Sequence, residues 1–201
     1  RLTAYVDVSK QFLIQDSASA EEMLKRDIVN AISDKLEATI LGNAAGSATM
    51  PAGIFNGVTA ETKDITYKRL VDMETALEEA NVAGNKCFIV SPSAKGILKT
   101  TAKDAIYNVT DGGVHTCVGC AGCLMEENEV NGYPVYCTSN VTSKGVVMGH
   151  FEDFVIGQWG GIDLTVDPYT QAANGKVRLV INAYFDAKPR RTGSFQKAIL
   201  K

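Results

Sequence analysis

The chain has 201 residues, 45% hydrophobic and 21% charged, with a net charge of −3. Those proportions exclude a mainly disordered chain, and no apolar run approaches the ~18 residues that span a bilayer, so no membrane partner is expected. The acidic balance gives no support to a dedicated nucleic-acid binder, which should be basic.

The N-terminal stretch RLTAYVDVSKQFLIQD has no signal-peptide pattern, and Arg1 stands first without a methionine, so translation is expected to start upstream. Leu2, Ala4, Val6 and Val8 alternate with Thr3, Tyr5 and Asp7, the period of a strand with one buried face. Ser19 and Glu22 form a capping box before a long helix, expected over about residues 19–41. Its stripe is Leu24, Ile28, Ile32, Leu36 and Ile40, and Gly42 is expected to end it as a left-handed cap. About 22 residues make a rod of roughly 33 Å.

Gly46, Pro51, Gly53 and Gly57 mark a loop over 43–64. Thr66 caps a second helix carrying Leu70, Met73, Leu77 and Ala80, expected to close near Gly84. Cys87–Val90 is a short strand, and Pro92 opens a helix with Ile97 and Leu98. Residues 101–132 are irregular and glycine-rich. Strands are expected at Tyr133–Cys137, Gly145–Met148, Phe154–Ile156, Ile162–Val166, Lys176–Phe185 and Gly193–Leu200. Helices early and strands late give an α+β fold class.

The strongest chemical signal is HTCVGCAGC, which places His115, Cys117, Cys120 and Cys123 at metal-ligand spacing. Three thiolates suit zinc or an iron–sulfur cluster, with His115, Cys87 or Cys137 as a fourth ligand. A structural zinc site normally has a second knuckle, and here there is one, so a loop of small cysteines or a disulfide fits the run as well. Five cysteines cannot all pair within the chain, which points to a reducing compartment. His150 is read as a packed or surface histidine, and Glu126, Glu127 and Glu129 as a solvated loop. The sequence holds no nucleophile elbow and no phosphate loop. Near the C-terminus Lys188, Arg190, Arg191, Lys197 and Lys201 carry no acid among them. That local excess fits a polyanion such as packaged DNA, an acidic partner surface, or a basic strand edge that discourages aggregation. The residues thus assemble no catalytic site, and the expectation is a structural protein rather than an enzyme.

Several segments, in order, resemble the major capsid proteins of tailed phages, those with the Hong Kong ninety-seven (HK) fold. TAYVDVSKQFLIQDS and the long helix look like that family's strand and spine helix. LGNAAGSATMPAGIF resembles its post-helix loop through Gly42, Pro51, Gly53 and Ile54. CFIVSPSAKGIL is similar to the strand and helix that open its axial domain. VNGYPVYCTSNV carries a G-x-P-V pattern at Gly132, Pro134 and Val135. GVVMGHFEDFVIGQWGGIDLTVDP matches through Gly149, Phe151, Ile156, Gly157, Gly160, Gly161 and Ile162, and the final strand keeps Asp186 and Phe195.

The resemblance implies a peripheral domain over 1–85 and 158–201 and an axial domain over 86–157. It implies a subunit of an icosahedral phage head that packs with copies of itself in pentamers and hexamers. Scaffolding and portal proteins and non-specifically held DNA would be its partners, with the basic C-terminal stretch facing the DNA. Assembly would take place in the bacterial host cytoplasm and the product would be the virion capsid. The family's N-terminal arm and extended hairpin loop have no counterpart in these residues. An encapsulin-type nanocompartment shell shares the fold and is the nearest alternative. A cysteine-rich metal-binding or redox domain is the alternative from another class, with zinc as its cofactor.

Overall fold

The computed structural model describes residues 1–15, 17–103 and 122–201. In chain order the elements are β1 (Leu2–Ser9), α1 (Lys10–Gln15), α2 (Ser17–Ile40), α3 (Tyr67–Glu79), β2 (Cys87–Val90), α4 (Pro92–Thr100), β3 (Glu129–Val130), β4 (Tyr133–Cys137), β5 (Gly145–Gly149), β6 (Phe154–Asp167), β7 (Lys176–Pro189) and β8 (Phe195–Ile199). They fall into two compact units. The first holds Arg1–Ile40, Gly46–Pro51 and Ile156–Ala187, the second Leu41–Ala45, Ala52–Val155 and Lys188–Lys201.

In the first unit a helix lies on a three-stranded sheet of order β1-β7-β6. β1 and β7 pair antiparallel from Leu2 opposite Ala183 to Ser9 opposite Lys176. The predicted stripes meet as expected: Ile28 and Ile32 of α2 pack on Ile181 of β7, with Leu2, Ala4, Val6 and Phe185 around them. The 24 residues of α2 make a rod of about 36 Å. α2 starts at Ser17, so Ser19 lies inside it rather than before its first turn. The sequence reading also passed over α1, whose start is capped by Ser9, with its Oγ accepting the Phe12 N–H at 3.1 Å.

The second unit is built on a five-stranded sheet of order β3-β4-β2-β5-β8. β2 and β4 are parallel, while β3–β4, β2–β5 and β5–β8 are antiparallel. Leu70, Met73 and Leu77 of α3 and Ala94 and Leu98 of α4 close over Phe88, Val90, Val135, Val146 and Met148. α3 starts at Thr66, whose hydroxyl accepts the Arg69 N–H, and α4 starts at buried Ser91, which accepts the Ala94 N–H at 3.2 Å. The end of α3 departs from expectation. Asn81, not Gly84, takes the left-handed conformation there, at φ 52°. The Val82 N–H reaches the Leu77 carbonyl and the Asn81 N–H the Glu78 carbonyl, a Schellman cap with Val82 packing back into the core.

Two more expectations are corrected. Gly42 is not in the left-handed region; α2 ends at Ile40 and the Gly42 carbonyl accepts the Phe55 N–H at 3.0 Å. Gly53 lies so close to it that a Cβ there would sit 2.2 Å from the Gly42 oxygen. Gly160, at φ 73°, does not interrupt the strand, so the two short strands expected over 154–166 are one. Residues 67–79 and 188–201, grouped by sequence with the peripheral part, pack in the second unit, because α3 and β8 complete its sheet and core.

Candidate functional site

Of the candidate metal ligands, His115, Cys117 and Cys120 lie outside the described residues. Cys123 is half-buried in a short bridge to Ala102, and its backbone N–H donates to a Glu126 carboxylate oxygen at 3.0 Å. Cys87 and Cys137 carry free thiols on β2 and β4. Burial pushes the Cys87 thiol up, away from the thiolate that a metal ligand or a nucleophile requires. Among the described residues no three His, Cys, Asp or Glu side chains come together as a metal site.

His150 is held rather than poised. Its Nδ1 is 2.9 Å from the Asn85 carbonyl and its Nε2 is 3.6 Å from Glu152. The ring fills the space over Gly84, where a Cβ would meet Cε1 at 2.5 Å. Nearby, the Ser194 hydroxyl donates to Asp153, the Arg190 N–H donates to the Asp153 carbonyl, and Phe151 and Phe154 pack edge-on against Phe195. These contacts fasten the β8 end of the sheet.

The basic residues divide. Lys188, Arg190 and Arg191 are exposed at the end of β7 and in the following turn. Lys197 is half-buried on β8, opposite Val147, and Lys201 reaches Asp64 at 3.4 Å. The acidic residues Glu126, Glu127 and Glu129 are exposed, as expected.

The sequence reading missed the surface of the first unit. On one face of its sheet the Arg178 guanidinium forks onto Asp7 at 2.6 and 2.8 Å and lies 4.6 Å from the centre of the Tyr5 ring. The hydrogen bond from Arg178 holds the Asp7 carboxyl below its ordinary value. At the turn after β6, the Asp167 carboxylate accepts from the Thr170 hydroxyl and from the Tyr169 and Thr170 N–H groups, which lowers it in the same way. That turn presents Tyr169, 85% exposed. Along β6 the apolar side chains Ile156, Trp159, Ile162, Leu164 and Val166 are all about half exposed. The alternation of Ile162, Leu164 and Val166 with Asp163, Thr165 and Asp167 was visible in the sequence. It signals a face to be covered, and not what covers it.

Within the described residues the first unit offers a half-exposed apolar strand, β6, open to packing. The comparison with known proteins says in what setting. The family model described as "Phage capsid family" matches residues 1–198. The chain belongs to that family. A major capsid protein of Halomonas phage phiHAP-1 is 26% identical over 203 residues, covering 98% of this chain and 31% of that protein. The chain thus spans about a third of the curated relative it matches. Among solved structures, the capsid of an empty GTA particle computed with C5 symmetry superposes at TM-score 0.70 and 17% identity, covering 100% of this chain and 72% of that one. A Gordonia phage Cozz structure gives 0.68 and 15%, with 100% and 69% covered. The α+β fold is the HK-type capsid fold that the sequence resemblance implied.

Proposed function

We propose that these residues are the body of a major capsid subunit that assembles with copies of itself into an icosahedral phage head. The family match over residues 1–198 carries this reading. Its mechanism is summation: each copy offers modest patches, and symmetry repeats weak contacts until the shell is stable. The first unit, with α2 as the spine, takes the peripheral role. The second unit, including α3 and residues 188–201, takes the axial role around the pentamer and hexamer centres. Lys188, Arg190 and Arg191 face packaged DNA through charge alone, without sequence specificity. Scaffolding and portal proteins are its further partners, and the host cytoplasm is where it assembles. The reading needs no enzyme chemistry and no zinc.

The test is expression of the full-length chain, with its scaffold where one is encoded, followed by electron microscopy. Capsomers, shells or tubes are the expected products. Monomers under every condition would overturn the proposal. Stoichiometric zinc, released to a chelating dye and lost in Cys120→Ala, would favour the metal-binding alternative.

A further inference from the structure

We infer that the pair Asn56–Gly57 is a site of spontaneous covalent modification, at which the asparagine loses ammonia through a cyclic imide and becomes aspartate and isoaspartate. The inference does not depend on the capsid reading.

The chemistry needs two neighbouring groups and water. The backbone nitrogen of the following residue attacks the asparagine Cγ, a C–N bond forms, and the Cγ–Nδ2 bond breaks. The side-chain amide leaves as ammonia, taking up the proton that the backbone nitrogen gives up. Water then opens the succinimide ring at either carbonyl. One opening gives aspartate; the other gives isoaspartate, whose main chain runs through the side-chain carbons. Glycine leaves the attacking nitrogen most open, because it has no Cβ.

The sequence holds three such pairs, Asn56–Gly57, Asn131–Gly132 and Asn174–Gly175. The fold treats them differently. Asn174 is restrained twice. Its Nδ2 donates to Gln171 Oε1 at 2.8 Å, and the Gly175 N–H, which carries the attacking nitrogen, donates to the Ala172 carbonyl at 3.1 Å. Asn131 and Gly132 form a two-residue turn, at φ 51° and 79°, between the paired residues Val130 and Tyr133. Asn131 Nδ2 donates to a Glu74 carboxylate oxygen at 3.4 Å, and its Oδ1 is buried. Bringing that side chain onto the Gly132 nitrogen would disturb the ladder and give up Glu74.

Asn56 has neither restraint. It is exposed, and among the described residues its side chain makes no hydrogen bond. The Gly57 N–H donates to no group among them either. Gly57 sits at φ 73°, and a Cβ on it would meet nothing within 4 Å, so solvent reaches this peptide freely. The two residues are the centre of a turn closed by the Val58 N–H on the Phe55 carbonyl at 3.1 Å. Positive φ at Gly57 and not at Asn56 makes it a type II turn. To react, Asn56 must rotate about its Cα–C bond until Cγ lies on the Gly57 nitrogen, and that one closing bond opposes the rotation. The preceding residue is fixed: Phe55 is fully buried and its N–H donates to the Gly42 carbonyl. Each event adds one negative charge to a chain of net charge −3. Isoaspartate also adds a carbon to the main chain between Phe55 and Val58.

The test incubates the full-length folded chain in mildly alkaline buffer made with heavy-oxygen water and follows each peptide by mass spectrometry. The peptide with Asn56 should take up label about ten times faster than those with Asn131 and Asn174, where further hydrogen bonds must open first. The same chain unfolded in guanidinium chloride should label all three at similar rates. Asn56→Gln should remove the label from its peptide and the matching acidic isoform on isoelectric focusing. A methyltransferase specific for isoaspartate should modify the aged parent and much less of the aged variant. An Asn56 peptide that stays unlabelled in the folded chain while the unfolded chain reacts would overturn the inference. So would equal rates at the three pairs in the folded chain, or faster labelling at Asn131 or Asn174.

Discussion

The two units differ in how completely they finish themselves. The second closes a five-stranded sheet under two helices, with seventeen buried residues in one cluster. The first lays one helix on three strands, and among the described residues the cluster between them has three buried members, Ile28, Ile32 and Ile181. That cluster is the smaller of these two, and the apolar side chains of the third strand are about half exposed. The difference teaches that one chain can hold a unit with a large buried cluster beside one that leaves an apolar strand half exposed among the described residues.

The comparison is broken most sharply at the centre of the second unit. Phe88 is fully buried between the strand neighbours and the helices. Phe88→Ala should cost about 3–5 kcal/mol by chemical denaturation, because no neighbouring group can refill an aromatic cavity in a close-packed core. A loss below about 1 kcal/mol would mean that the second unit is not the firmly packed one. In the first unit, Ile181→Ala removes a buried side chain from the cluster under α2 and should cost about 2–4 kcal/mol. Hydrogen exchange gives the sharper reading here. Amides of β1 and β7 should exchange faster in the variant, and in the unassembled parent they should already exchange faster than those of β2 and β5. Equal protection of the two sheets would remove the distinction between the units.

A smaller effect tests how the second unit is locally fastened. Ser91 is 1% exposed and accepts the Ala94 N–H at the start of α4. Its hydroxyl also lies 3.1 Å from that of Ser93. Ser91→Ala should cost about 1 kcal/mol, and Ser91→Asp should recover part of it only if the added charge finds solvent. No loss in the alanine variant would show that Pro92 alone sets the start of α4.

Much of this was legible in the residues, and the misses have physical causes. The stripe from Leu24 to Ile40 and the alternation from Leu2 to Val8 are long enough that periodicity alone fixed both elements and the faces they bury. Ser91 and Pro92 announced α4, because capping chemistry is local. Asn81 is not legible as a terminator because asparagine tolerates the left-handed region without requiring it, whereas glycine is the usual residue there. Gly160 falls between the two strands expected over 154–166, but a glycine at positive φ can bend a strand and leave it continuous. The apolar strip on β6 was visible as a pattern and illegible as a site, since alternation predicts a covered face and the cover is not in the described residues. The metal question turned on His115, Cys117 and Cys120, which the described residues do not include.

The smallest expected effect lies on the open face of the first unit and depends on pH. Arg178 donates two hydrogen bonds to Asp7, and the carboxyl is held below its ordinary value chiefly by that contact. A carboxyl lowered on folding stabilises the native state at pH above its unfolded value, near 4, and the contribution disappears as pH falls through the lower folded value. Asp7→Asn should therefore weaken the protein at pH 6 and converge with the parent at the acid end of a titration from pH 6 to 2. Asp167 shifts in the same direction, so the variant should keep some acid sensitivity of its own. The pair is solvent-accessible, so added salt should shrink the gap at pH 6. A gap that widened on acidification would mean that Asp7 is more readily protonated when folded, and that the Arg178 contact does not govern it. A gap indifferent to both salt and pH would assign the loss to packing of the Arg178 stem over Tyr5 rather than to charge.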